Sequence, residues 1–83
     1  MKTKIKLLIA DSNHELLTQM KSFFDAKSDI ELIATASDGT EALEKVRQYH
    51  PDVVLMDLVL PGLDGIVTAA PMGGTKVMEN SSQ

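Results

Sequence analysis

The chain has no cysteine, no long apolar run and no cluster of basic residues. The missing cysteines exclude a disulfide framework and thiolate metal sites. Its apolar runs are far shorter than the roughly 20 residues that span a membrane, and the apolar segment after Lys4 is too short for a secretory signal. A net charge of −4 argues against nucleic-acid binding. We therefore expect a cytoplasmic protein that contacts neither a membrane nor nucleic acid directly.

The chain is also short, and it has few imidazole groups. Its 83 residues allow one small domain at most. His14 and His50 are its two histidines, and they lie too far apart in sequence to suggest a metal site.

The most informative stretch is VVLMDLVLPGLDG at 53–65. Four apolar residues at 53–56 are too few for a helix but suit a buried strand. Asp57 follows directly, and the Pro-Gly and Asp-Gly pairs after it are turn signals. Ligands of parallel sheets bind beyond the carboxyl ends of the strands, so Asp57 is a candidate reactive group. The alternative is a solvated aspartate that merely ends the strand.

The first third of the chain predicts a strand followed by a helix. Residues 5–10 are mostly apolar and end at Asp11. Ser12 and Glu15 have the spacing of a capping box, which predicts Ser12 as the helix N-cap. An apolar stripe at helical spacing follows and is predicted to be core: Leu16, Leu17, Met20, Phe23 and Phe24.

The middle third repeats this order. Residues 30–36 alternate in part and predict a half-exposed strand. Asp38 with Glu41 three residues later predicts a second helix start. That helix is expected to close near Tyr49 because Pro51 cannot continue it.

Alternation of strands and helices predicts an α/β fold with a parallel sheet, in which the first strand lies between the other two. Order 2-1-3 places Asp11 and Asp57 at adjacent strand ends. Two carboxylates that meet there repel each other unless a cation neutralises them, and Mg²⁺ is the expected ion. The alternative is that both aspartates only cap strands in water. No general base or nucleophile set accompanies them, so we do not expect an enzyme.

Three segments carry a family resemblance: IADSNHEL at 9–16, TASDG at 35–39 and PDVVLMDLVLPGLDG at 51–65. With these motifs, residues 4–66 resemble the N-terminal part of a response-regulator receiver domain. The likeness is closest to the receiver of the sporulation-initiation regulators of endospore-forming bacteria. It implies a partial flavodoxin-like fold with three parallel strands and two helices.

The resemblance also implies a chemistry. The aspartate that matches Asp57 accepts a phosphoryl group from a phosphohistidine donor, which is a histidine kinase or a phosphotransferase. Acidic residues after the first strand, here Asp11, hold Mg²⁺ together with the acceptor and the backbone carbonyl that matches Val59. Ser12 stands where the family has a second acidic ligand, so we expect weak or absent Mg²⁺ binding and slow phosphorylation.

The end of the chain departs from the family. We expect a truncated receiver at 1–66 and a divergent, flexible tail at 67–83, because the family's later Ser/Thr and Lys have no secure counterparts. A strand at 66–70 is a weaker alternative. Truncation would leave the third strand as an exposed apolar edge, which predicts a homodimer through a continuous or exchanged sheet. The alternative function is therefore a non-phosphorylated interaction protein that pairs through this strand.

Overall fold

The computed structural model describes residues 4–57, 62, 71 and 73–80, and strands and helices alternate along most of them. The elements are β1 (Ile5–Ala10), α1 (His14–Asp25), β2 (Ile30–Ala36), α2 (Gly39–Tyr49), β3 (Val53–Asp57) and β4 (Lys76–Asn80). The predicted order of the first five elements is confirmed. No helix in this part of the chain is long and apolar enough to cross a membrane.

The strands form one parallel sheet in the order β2-β1-β3-β4. The predicted 2-1-3 arrangement is confirmed, but the prediction of only three strands is wrong. The additional strand lies within 67–83, the segment predicted to be a flexible tail. Residues 58–75 separate β3 from β4, and this connection is longer than the roughly 12 residues that a parallel crossover needs. The candidate strand at 66–70 lies outside the described residues, and the domain division at residue 66 stays a prediction.

The new strand covers the side of β3 that was expected to be open. Val54 pairs with Val77 and Leu55 with Met78. Val77 packs against the core, so β4 contributes apolar contacts as well as backbone hydrogen bonds. The prediction that the third strand is an exposed edge is therefore wrong, because β3 lies between β1 and β4.

Hydrogen bonds at the amino end of the sheet hold β4 in place. The Thr75 hydroxyl is buried and donates to the Pro51 carbonyl at 2.7 Å. The Lys76 amide donates to the Asp52 carbonyl at 2.9 Å, and the Asp52 amide donates to the Lys6 carbonyl at 2.8 Å. These bonds help to fix the register of β4 against β3 and of β3 against β1.

The two helices cover opposite faces of the sheet. Leu17 of α1 packs with Leu7 and Ile9 on one face. The larger cluster lies on the α2 face and consists of Leu8, Ala10, Ala36, Ala42, Val46, Val54 and Met56. Leu8, Val54 and Met56 are fully buried, and burial of each side chain stabilises the fold by roughly 1.5–3 kcal/mol.

The predicted core stripe of α1 is confirmed at Leu17, Met20 and Phe24, whereas Leu16 is only partly buried and belongs to neither core cluster, and Phe23 is exposed. This side chain is 54% exposed. Its ring packs edge-on against Phe24, with 5.0 Å between the centroids, and the Lys27 ammonium lies 4.5 Å from its centre. Leu17 faces the sheet centre, whereas Phe23 lies at the margin of the stripe, so it stays largely outside the core.

The helix starts confirm one predicted cap and correct the other. Asp38 caps α2 and its side chain accepts from the Glu41 amide at 2.8 Å, as predicted. α1 is capped by Asn13, whose side chain accepts from the amides of Glu15 and Leu16. Ser12 is therefore not the N-cap, and the helix begins one residue later than the capping-box spacing indicates.

Candidate functional site

Asp11 and Asp57 lie at the ends of neighbouring strands, at the same edge of the sheet. Ala10 pairs with Met56 in the parallel register of β1 and β3. Asp57 is the last residue of β3, and Asp11 directly follows β1. The predicted juxtaposition of these strand ends is therefore confirmed.

Asp11 is held tightly by its backbone neighbours. The residue is only 6% exposed. Its Oδ1 accepts from the Asn13 amide at 2.9 Å, and its own amide donates to the Ala36 carbonyl at 2.9 Å. Asp11 is thus tied to the start of α1 through its side chain and to the end of β2 through its backbone.

The charge on this carboxylate has no ion-pair partner among the described residues. The two ion pairs found there join Lys21 to Asp25 and Lys45 to Glu41. A buried carboxylate that is not paired carries a large desolvation cost, which a bound cation would reduce.

Asp57 lies half-buried at the end of β3, opposite Asn80 of β4 in the strand register. Val59, whose carbonyl was predicted as a metal ligand, lies outside the described residues. Ser12 is exposed and lies between Asp11 and the helix cap. Of the predicted site residues, the structure therefore describes Asp11, Ser12 and Asp57.

The possible ligands at this edge are of the type that a hard cation prefers, but they are few. The two carboxylates offer oxygen ligands, which Mg²⁺ prefers. No group of three or more histidine, cysteine or acidic side chains that could hold a metal ion occurs within the described residues. Metal binding at this edge would thus depend on two carboxylates, backbone oxygen and water.

A polar network at the corner between β2 and α2 was not predicted. Glu41 Oε1 accepts from the Ser37 amide at 2.9 Å and from the Ser37 hydroxyl at 3.0 Å. Glu41 Oε2 lies 3.1 Å from the Lys45 ammonium. The Ser37 amide and, next, Lys45 hold the pKa of the Glu41 carboxyl below its usual range. The i, i+4 spacing of Glu41 and Lys45 was the signal in the sequence that could have indicated this pair.

Gly62 lies close to the start of α2, near the same corner. Gly62 has φ +80°, and a Cβ placed on it would lie 3.3 Å from the Gly39 Cα and 3.3 Å from the Thr40 amide nitrogen. Glycine is favoured at Gly62 both by its left-handed backbone and by this close approach. The start of α2 thus lies close to Gly62, while the end of β2 contacts Asp11.

The sequence of the chain matches a known family. Residues 7–78 match the family described as the response regulator receiver domain. This match continues past residue 66, so the predicted truncation after the third strand is not supported. It includes most of β4, the strand that sequence reasoning missed.

The curated relatives confirm the predicted family but not the predicted subtype. The transcriptional regulatory protein YhcZ of Bacillus subtilis is 42% identical over 62 residues, which are 75% of this chain and 29% of that protein. The oxygen regulatory protein NreC of Staphylococcus aureus is 40% identical over 67 residues, 80% of this chain and 31% of that protein. The chain spans about a third of the length of these relatives. They give no support to a sporulation-type receiver.

A solved structure extends the likeness to the fold. In the complex of the CheA3 P1 domain with CheY6 from R. sphaeroides, the match has a TM-score of 0.85 at 25% identity and covers 98% of this chain and 66% of that one. The sequence match over residues 7–78 and the structural match therefore agree on the family. The chain belongs to the receiver domains of two-component response regulators.

Proposed function

We propose that Asp57 is the phosphoacceptor of this receiver domain. The observation that carries the proposal is the placement of Asp57 at the end of β3, next to the strand end that holds the buried Asp11. A carboxylate at the rim of a parallel sheet is accessible to a partner, while its backbone is held by the sheet.

The proposed reaction is a transfer between two side chains. A carboxylate oxygen of Asp57 attacks the phosphorus of a phosphohistidine on a histidine kinase or phosphotransferase. The new P–O bond forms as the P–N bond breaks, and the electron pair of that bond stays on the departing imidazole nitrogen, which takes up a proton. The product is an acyl phosphate on Asp57, so the chain acts as a phosphoryl acceptor rather than as an enzyme. Such a donor is consistent with a family in which CheY6 is found in complex with the P1 domain of CheA3.

Mg²⁺ is the cation we propose for this site. Asp11, Asp57 and the backbone carbonyl of Val59 would hold it, with Ser12 as a weak ligand in place of an acidic one. When bound, the ion neutralises negative charge on the transferred oxygens, as phosphoryl transfer requires. A hydroxyl is a poorer ligand for Mg²⁺ than a carboxylate, so we expect weak affinity and slow phosphorylation.

Small-molecule phosphorylation tests the proposal. The full chain is incubated with acetyl phosphate and Mg²⁺, and its intact mass is measured. We expect a gain of one phosphoryl group that hydroxylamine removes, as it does an acyl phosphate. Asp57→Asn should abolish the gain, whereas Asp29→Asn, at an exposed position outside the site, should retain it. An adduct that persists in Asp57→Asn, or no adduct on the unsubstituted chain, would contradict the proposal.

The predicted alternative, an interaction protein that pairs through an open third strand, loses its structural basis. β3 is paired on both sides, with β1 and with β4. Homodimerisation through this strand is therefore not part of the proposed function.

A further inference from the structure

The network of Ser37, Glu41 and Lys45, which we call the corner clamp, holds the end of β2 from both sides. The Lys45 ammonium donates to the Thr35 carbonyl at 2.6 Å. Glu41 accepts from the backbone and side chain of Ser37, and it also pairs with Lys45. The residues that the clamp contacts, Thr35 and Ser37, flank a single residue, Ala36.

Ala36 is the residue that holds Asp11. Its carbonyl accepts the Asp11 amide at 2.9 Å, and its side chain is buried in the core. Rotation of the two peptide units around Ala36 would turn this carbonyl away from Asp11. The clamp restrains those units, because it contacts the carbonyl before Ala36 and the amide after it.

We propose that Glu41 and Lys45 are positioning residues that set the orientation of Asp11 through Ala36. The inference builds on the proposed function, since a well-placed Asp11 matters most if Asp11 and Asp57 share a cation. Neither Glu41 nor Lys45 touches the reacting groups in this assignment. They act through the backbone of β2.

A purely structural role for the clamp would be a helix cap and a surface ion pair. Such a pair needs only the i, i+4 contact between Glu41 and Lys45. The further bond from Lys45 to Thr35 goes beyond that role, because it joins α2 to the strand next to Asp11. The Lys45 side chain is 31% exposed, against 64% for Lys21 in the i, i+4 pair Lys21–Asp25. Lys21–Asp25 is therefore a natural control.

Amide hydrogen exchange of the Asp11 N–H is the direct test. Lys45→Met keeps the apolar stem but removes the donors, and we expect it to lower protection of the Asp11 amide by about tenfold relative to the Leu55 amide in β3. Lys45→Arg retains a cationic donor and should restore much of this protection. Lys21→Met should leave the protection of the Asp11 amide relative to the Leu55 amide unchanged. Equal loss of protection at Asp11 and Leu55 in Lys45→Met would mean general destabilisation and would overturn the proposal.

Titration with Mg²⁺ links the clamp to the site. Calorimetry should show a dissociation constant several-fold higher in Lys45→Met than in the unsubstituted chain or Lys21→Met. The phosphorylation rate should fall at low Mg²⁺ and recover at saturating Mg²⁺. If the unsubstituted chain neither binds Mg²⁺ nor gains a phosphoryl group, the proposed function fails while the exchange result still decides the clamp. If that chain does both and Lys45→Met matches it in exchange and affinity, the clamp proposal alone fails.

Discussion

Ala10 of β1 and Met56 of β3 lie opposite each other in a parallel pairing, and the residue after each is an aspartate. This register places Asp11 and Asp57 at one rim of the sheet without any contribution from loops. The burial of Asp11 then adds an electrostatic consequence. Asp11 is 6% exposed and has a second carboxylate on the neighbouring strand end, and this is the basis for the cation proposed at this rim.

The first prediction concerns Ser12, which stands beside this pair. Ser12→Asp adds a third carboxylate after β1, and because ligand charge sets the affinity of oxygen sites for divalent ions, we expect Mg²⁺ affinity to rise by about tenfold. Without Mg²⁺ the same variant should be less stable, since the added charge repels its neighbours. Calorimetric titration and urea unfolding with and without Mg²⁺ measure both effects. Ser12→Asn is the uncharged control, and equal affinities for Ser12→Asp and Ser12→Asn would refute the prediction.

The second prediction separates the expected cap of α1 from the observed one. Asn13→Ala removes a side chain that accepts from two amides, so we expect a loss of about 1 kcal/mol in the free energy of unfolding. Ser12→Ala should change it by less than about 0.5 kcal/mol, because Ser12 is an exposed residue outside the cap. Urea unfolding of both variants is the measurement. A larger loss for Ser12→Ala than for Asn13→Ala would place the cap where the sequence spacing put it.

The contrast between the two caps shows what sequence alone could provide. Asp38 has one polar neighbour, Ser37, and the capping-box spacing to Glu41 identified it correctly. At α1 the adjacent Ser12 and Asn13 are both good caps, and Glu15 fits only the first of them. The choice depends on the path of the chain after Asp11, whose carboxylate accepts from the Asn13 amide. That contact is local, since it joins residues two apart, and the capping-box spacing does not take it into account.

The fourth strand escaped prediction because its sequence carries little pattern of its own. Residues 76–80 read Lys-Val-Met-Glu-Asn, and of these Val77 packs against the core. A short segment with one core residue gives almost no periodic signal. Its placement depends on backbone pairing with β3 and on the bond from Thr75 to Pro51. By contrast, β1, β3 and the two aspartates were predictable because continuous apolar runs end at Asp11 and Asp57.

The third prediction tests how β4 is held. Thr75→Val keeps the shape of the side chain but removes the buried hydroxyl that donates to Pro51, which we expect to cost about 1–2 kcal/mol. Thr75→Ser retains the donor and should cost less. Urea unfolding gives the free energies, and hydrogen exchange of the Val77 amide reports whether β4 loosens first. Unchanged stability and unchanged Val77 protection in Thr75→Val would show that this bond does not hold the strand.

The fourth prediction concerns acid sensitivity at the corner clamp. The pKa of Glu41 is lowered in the folded chain, first by the Ser37 amide and then by Lys45. A carboxyl whose folded pKa is below its unfolded pKa contributes stability above the unfolded pKa and loses it as pH falls through the folded pKa. The Glu41 side chain is 40% exposed, so solvent screening should keep the contribution below about 1 kcal/mol.

Glu41→Gln separates this contribution from the rest of the titration. The amide still offers an acceptor to Ser37 but carries no charge, so the variant should be less stable than the unsubstituted chain at neutral pH. The difference should shrink as pH falls through the lowered pKa, and added salt should reduce it at neutral pH. Urea unfolding from pH 7 to pH 3 measures this difference in the free energy of unfolding. Glu44→Gln, an exposed neighbour on the same helix, is the control. A difference for Glu41→Gln that is constant with pH would show that the Glu41 charge does not stabilise the corner, because only a charge-dependent contribution disappears when the carboxylate is protonated.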